Sequence, residues 1–252
     1  MNGKKLIFSI LVLLFLFSSC QKNQTANLSL MFNFCVDGNE ITFDQMKYHN
    51  AAGNLYEVNE IMFFVSNLVL YKSDGTQIAI DGVHYVDADR RNSLAWGISK
   101  HLPEGEYEAI SFTFGLSDAE NRNFRFVNPP ECDMSWPMVL GGGYHYLKIN
   151  GKWMANDTLK PFNLHMGRGQ VRDAEGNITD FIDNSFQVTI NQHYRIKQKD
   201  CVLQLLMDVN QWFGACEVFD LDEWGGSIME NQDAQELLKK NGSKAFSVRM
   251  IN

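Results

Sequence analysis

A succession of short apolar runs, set between glycine, asparagine and aspartate, narrows the fold more than any other feature of this chain. Gly105-Glu-Tyr-Glu-Ala-Ile-Ser-Phe-Thr-Phe-Gly115 alternates apolar and polar residues, the period of a strand with one buried face. Glu60 to Tyr71 is a longer run rich in Phe, Val and Leu, closed by Ser73-Asp74-Gly75, a hairpin-type turn. Further strand-like runs cover Leu28 to Cys35, Gln77 to Ile80, Val83 to Val86, Tyr144 to Ile149, Asn163 to Met166, Asp183 to Ile190 and Cys201 to Val209. Helical pattern is confined to Ser227 to Asn241, stopped by Gly242, and to one turn over Asp118 to Asn123. No internal repeat or linker divides the chain. With 45% hydrophobic residues, the pattern predicts an all-β fold. We read residues 28–252 as a single β-sandwich domain, immunoglobulin- or cupredoxin-like, with long loops and a short C-terminal helix.

The first residues read as an export signal. Lys4 and Lys5 precede an apolar stretch from Leu6 to Phe17, too short to span a bilayer and of the right length for a signal peptide. It ends in Ser18-Ser19-Cys20, the pattern of a bacterial lipoprotein. Residues 1–19 are then a signal peptide, Cys20 the lipidated residue, and 20–27 a polar tether to the membrane. The absence of an acidic residue after Cys20 places the anchor in the outer membrane of a Gram-negative bacterium, with the domain in the periplasm or cell envelope. Loss of Lys4 and Lys5 with the signal takes two positive charges from a formal net charge of −8. A chain this acidic, without a basic cluster, excludes nucleic acid as a partner and suits a cation. Cys35, Cys132, Cys201 and Cys216 remain. Outside the cytoplasm, disulfides are expected; three pairings are open, with Cys201–Cys216, which closes a modest loop, favoured.

The chemistry concentrates between residues 134 and 149, Met-Ser-Trp-Pro-Met-Val-Leu-Gly-Gly-Gly-Tyr-His-Tyr-Leu-Lys-Ile. Two thioethers (Met134, Met138), an indole (Trp136) and an imidazole (His145) surround a triple glycine. A second imidazole follows at His165, next to Met166. Thioether sulfur and imidazole nitrogen are copper ligands, the former above all for Cu(I). The same residue types also fill cores, so the expectation depends on their convergence in space. Strand alternation points His145 inward with Leu147 and Ile149, and His165 away from Leu164 and Met166. Other patterns fail. Asp220-Leu-Asp222-Glu-Trp224 lacks an oxygen ligand at the fifth position of a calcium loop, and no nucleophile–base pair marks a hydrolase. A different class remains open, a cell-envelope lipoprotein without metal that binds glycan or peptide through Trp96, Trp136, Trp153, Trp212 and Trp224. It requires exposed, coplanar rings.

The order of several segments resembles a known family. Asn59 to Gly75 is followed by His84-Tyr-Val-Asp87, Leu102-Pro-Glu-Gly-Glu-Tyr107 and Phe112-Thr-Phe-Gly-Leu116. Then come Met134-Ser-Trp136-Pro, Gly142 to Gly151 and Phe162-Asn-Leu-His-Met-Gly167. Over residues 28–250 the set is similar to the MbnP-like family of periplasmic copper-binding proteins associated with methanobactin operons. The resemblance implies a β-sandwich-like fold, no enzymatic activity, and one copper ion per chain for acquisition, storage or delivery. It further implies a site tryptophan oxidised to kynurenine by a dihaem cytochrome c peroxidase-like partner, its new aniline nitrogen joining histidine at the metal. Trp136 is the position carried over, with His145 and His165 beside it. Many relatives have Met-x-Trp-x-Trp, whereas Met138 holds the second aromatic position here.

Overall fold

The computed structural model describes residues 25–197 and 200–251. The expected signal peptide (residues 1–19), Cys20 and residues 21–24 of the expected tether lie outside the described residues. Residues 25–27, read from the sequence as tether, already belong to the first strand, with Ala26 buried because it faces the core. The strands, in chain order, are β1 (Thr25–Val36), β2 (Asn39–Glu40), β3 (Tyr48–His49), β4 (Leu55–Lys72), β5 (Gln77–Asp87), β6 (Ala95–Pro103), β7 (Gly105–Phe114), β8 (Leu147–Ala155), β9 (Thr158–Met166), β10 (Gly169–Arg172), β11 (Ile178–Ile182), β12 (Phe186–Ile196), β13 (Asp200–Asp208) and β14 (Phe246–Ile251). Three helices follow or interrupt the last of them: α1 (Val209–Gly214), α2 (Leu221–Trp224) and α3 (Gln232–Gly242). None of the described helices is long and apolar enough to cross a membrane.

Two sheets carry the domain. The five-stranded sheet runs β14-β13-β1-β2, with β6 also on β1; the seven-stranded sheet runs β12-β7-β4-β8-β9, with β3 and β5 also on β4. Strands β10 and β11 form a separate hairpin. Alternation works as read. Leu28, Leu30 and Phe32 of β1 bury the face that meets Ile61, Phe63 and Val65 of β4. Phe63 contacts Phe32 across the sheets (ring centroids 5.9 Å apart) and Phe246 of β14 (6.1 Å). The fold is therefore mostly β, as expected, and α3 closes one end with Ala234, Leu237 and Leu238 buried. That helix starts at Gln232 rather than Ser227, because the Asn231 side chain accepts the Ala234 N–H and caps it there. Ser227 instead bridges to Asn163 of β9.

The outer face of the seven-stranded sheet is only partly bare. Residues 115–146, between β7 and β8, fold back over it. Beneath this loop lies a second apolar cluster of Phe64, Tyr85, Leu116, Met134, Tyr144 and Tyr146.

Candidate metal centre

The loop is shaped by its glycines and two asparagines. Gly141, Gly142 and Gly143 all have positive φ (108°, 64° and 82°), a conformation in which a β-carbon is strained. They reverse the chain so that residues 134–136 lie antiparallel to 143–145. Trp136 N–H donates to Gly143 O (2.9 Å), and His145 N–H to Met134 O (2.7 Å). Asn121 holds the returning arm, accepting the Tyr144 N–H at Oδ1 (2.8 Å) and donating from Nδ2 to the Tyr146 hydroxyl (2.8 Å). Asn123 accepts the Gly143 N–H at 2.6 Å. A β-carbon on Gly143 would overlap Asn121 Oδ1.

This turn brings three of the five proposed donors together. The Trp136 and His145 rings have centroids 4.7 Å apart at 75°, and His145 and His165 5.0 Å apart at 90°. Trp136 is 2% exposed and His145 5%; His165 is half-buried and reaches the surface. The indole is fixed on two sides. Its Nε1–H donates to Leu140 O (3.1 Å), and its six-membered ring lies over Gly167, whose missing side chain makes room for it.

Alternation holds for His165, which stands on the outer face between buried Leu164 and Met166. It fails for His145. Strand β8 begins at Leu147, not Tyr144. The irregular backbone ahead of it turns the imidazole to the outer face, against His165, instead of into the inter-sheet core with Leu147.

The two thioethers differ in their surroundings. Met134 is fully buried in the second apolar cluster and contributes its backbone carbonyl, which accepts from His145 Nδ1 at 2.9 Å. Met138 is 64% exposed on the outside of the turn. Among the described residues no three His, Cys, Asp or Glu side chains gather in a metal-binding group. The conventional donors at this site are thus two imidazoles.

Both imidazoles are held neutral. His145 is pushed down to about 3 by burial, with the Lys148 ammonium adding to the effect. His165 is pushed down to about 4 by the same two causes in the same order. Lys148 is the direct cross-strand neighbour of His165. Its own ammonium is disfavoured by burial, and it donates to Asp133 O at 3.1 Å. Neutral imidazole is the metal-binding form. Lys148, Asn150 and Gly167 were not singled out in the sequence, although the alternation of β8 places Lys148 and Asn150 on the same outer face as His165.

Other sequence expectations resolve as follows. Cys35, Cys132, Cys201 and Cys216 are all free thiols. Cys201 is near the start of β13, and Cys216 follows α1 beyond its far end. At about 3.3 Å per residue the strand from Cys201 to Asp208 alone spans roughly 23 Å, against the roughly 6 Å between Cα atoms that a disulfide requires. Trp136, Trp153 and Trp212 are buried, Trp96 stacks on His84 and Trp224 on Phe219, so these five tryptophans do not form a row of exposed rings. Asp220 caps α2, and Asp222 accepts the Trp153 Nε1–H. Asp87 accepts from Tyr85 and pairs with Arg90.

The fold is shared with a solved structure, MbnP from Methylosinus trichosporium. It superposes with a TM-score of 0.55 at 16% identity, covering 91% of this chain and 100% of that one. No curated protein matches the sequence. A family model described as MbnP matches residues 25–230, most of the chain, and the protein therefore belongs to the MbnP family.

Proposed function

We propose that this chain is a copper-binding protein of the periplasm, tethered through Cys20 to the outer membrane, that holds one copper ion as cargo for acquisition, storage or delivery. The observation that carries the reading is the convergence of Trp136, His145 and His165 under the triple-glycine turn. Two neutral imidazoles suit copper. Each ring has one nitrogen engaged by an acceptor, His145 Nδ1 by Met134 O and His165 Nε2 by Asn150 Oδ1 at 2.7 Å. Outer hydrogen bonds of this kind orient metal-binding imidazoles. An acidic chain favours the approach of a cation.

The third position belongs to Trp136, and as an indole it offers no donor, because Nε1 carries a hydrogen given to Leu140 O. Conversion to kynurenine would supply one. Two oxygen atoms add across the C2–C3 bond of the indole and hydrolysis releases C2 as formate, leaving an aniline nitrogen with an available lone pair. The oxidant would come from a dihaem peroxidase-like partner. This step raises the residue mass by about 4 Da. Membership of the MbnP family and the ring contacts of Trp136 with His145 support it.

The test is copper loading of the chain lacking residues 1–20, followed by desalting and metal analysis. Wild type is expected to retain copper, and His145→Ala and His165→Ala to lose it. A wild type that emerges without copper, after expression beside the native peroxidase-like partner, rejects the proposal. An unmodified Trp136 peptide from such cells rejects the kynurenine step alone.

A further inference from the structure

The half-buried His165 is gripped by a pair of residues that the site itself does not need as ligands. Glu60 of β4 is the direct cross-strand partner of Asn150 of β8, and Asn150 Nδ2 donates to Glu60 Oε2 at 2.7 Å. On its other side Asn150 Oδ1 lies 2.7 Å from His165 Nε2. From these contacts we infer that Glu60 and Asn150 are positioning residues that fix His165 as the Nε2–H tautomer, so that Nδ1 is the nitrogen this ring offers to a metal. The inference rests on the copper reading above for its purpose, not for its chemistry.

Donors and acceptors decide the orientation of each group. An asparagine amide has one end that donates and one that accepts, and its orientation is set by its partners. A carboxylate only accepts. Glu60 therefore requires the NH2 group of Asn150 on its side, which turns the carbonyl oxygen towards His165. That oxygen also only accepts, so His165 Nε2 must carry the hydrogen. In a neutral imidazole the other nitrogen is then the lone-pair atom. Nδ1 of His165 has no hydrogen-bond partner among the described residues. The opposite holds at His145, where Met134 O faces Nδ1 and the ring is the Nδ1–H tautomer with its lone pair on Nε2. The two rings of the site thus present different nitrogens. Reversal of the Asn150 amide would set its oxygen against the Glu60 carboxylate, two acceptors with no hydrogen between them.

The experiment is a long-range proton–nitrogen correlation spectrum of the imidazole rings. It uses the metal-free 15N-labelled chain lacking residues 1–20, at pH 7.5, with His165 assigned by its loss in His165→Gln. Wild type is expected to show His165 protonated at Nε2 and bare at Nδ1. In Glu60→Gln the amide at residue 60 accepts either orientation of Asn150, and His165 is expected to shift to a mixed pattern. Copper affinity should then fall by roughly tenfold or more, while the denaturation midpoint holds because residue 60 is exposed. Asn150→Ala should give the same change. A wild-type His165 protonated at Nδ1 overturns the inference, as does an unchanged pattern in both variants. The predicted tautomer in a protein that retains no copper sinks the copper reading and not this assignment. Copper retention with the other tautomer does the reverse.

Discussion

Replacing Gly167 with alanine isolates the packing that holds the indole in place. A β-carbon there would lie 2.5, 2.7 and 2.8 Å from Cε3, Cδ2 and Cζ3 of Trp136. Ordinary van der Waals contact begins at 3.4 Å, so the ring must retreat by roughly 0.6–0.9 Å, the shortfall between those contacts and that limit. It has nowhere easy to go. His145 stands on it at a centroid distance of 4.7 Å, and its Nε1–H is committed to Leu140 O. Overpacking of this kind costs about 1–3 kcal/mol. The backbone at Gly167 is outside the positive-φ region, so no strain is added, and the smaller unfolded-state entropy of alanine returns about 0.4–1 kcal/mol. The net expectation is a loss of about 1–2 kcal/mol, or roughly 0.5 M in the urea midpoint at an m-value of about 2–3 kcal/mol/M. Indole emission should shift with it, and copper retention should weaken. The decisive comparison is a double-mutant cycle. In a Trp136→Leu background the steric term is gone, and Gly167→Ala should be neutral or slightly stabilising. Equal penalties in both backgrounds would refute the idea that the glycine exists to seat this ring.

Three further outcomes follow from the same contacts. The unfolded chain takes up protons on His145 and His165 near pH 6.5, whereas the native rings do so only near 3 and 4. The stability they confer is complete above about pH 6.5 and erodes as pH falls towards 4, by at most about 1.4 kcal/mol per pH unit for each ring. His145→Phe should flatten that acid limb in urea midpoints measured between pH 7 and 5, and an unaltered slope counts against the assignment. Removing the buried amide with Asn121→Ala leaves the Tyr144 N–H without its acceptor and should cost about 1–3 kcal/mol. Faster amide exchange confined to the 134–146 turn is the expected signature, and global loosening is not. Burial, then the Asp208 carboxylate, pushes the Cys35 thiol up to about 11. In the chain lacking residues 1–20, a thiol reagent at neutral pH should therefore label Cys216 readily in the native state and spare Cys35, with all four remaining thiols reacting in denaturant. Fewer than four under those conditions would show a bond that these thiols do not make here.

Strands that announce themselves by alternation were legible, because the signal is local and the core repeats it. The run ending at Gly115 became β7 almost residue for residue, and Cys201 to Val209 is β13 displaced by one. The grouping of Trp136, His145 and His165 was also foreseeable from composition around the triple glycine, although a flat strand rule aimed His145 at the wrong side. That rule assumes a regular backbone through residue 144, and three consecutive left-handed glycines just upstream abolish it. The role of Met134 was not readable. Its side chain serves the second apolar cluster and its carbonyl serves the imidazole, and a sequence displays only side chains. Glu60 and Asn150 escaped notice for a different reason. They lie ninety positions apart; the pairing of β4 with β8 makes them partners, and the pairing of β8 with β9 sets Asn150 beside His165.

The parallel pairing of β1 with β13 sets a condition on biogenesis. Asn27 lies beside Asp200 and Cys35 beside Asp208, so the earliest strand must wait for nearly all of the remaining chain before its long edge is covered. Until then its backbone amides and carbonyls stay available to any other extended segment, a standing invitation to mispairing. Contacts of such wide sequence separation also form slowly. A version cut short ahead of β13 would have its first strand exposed along one whole flank.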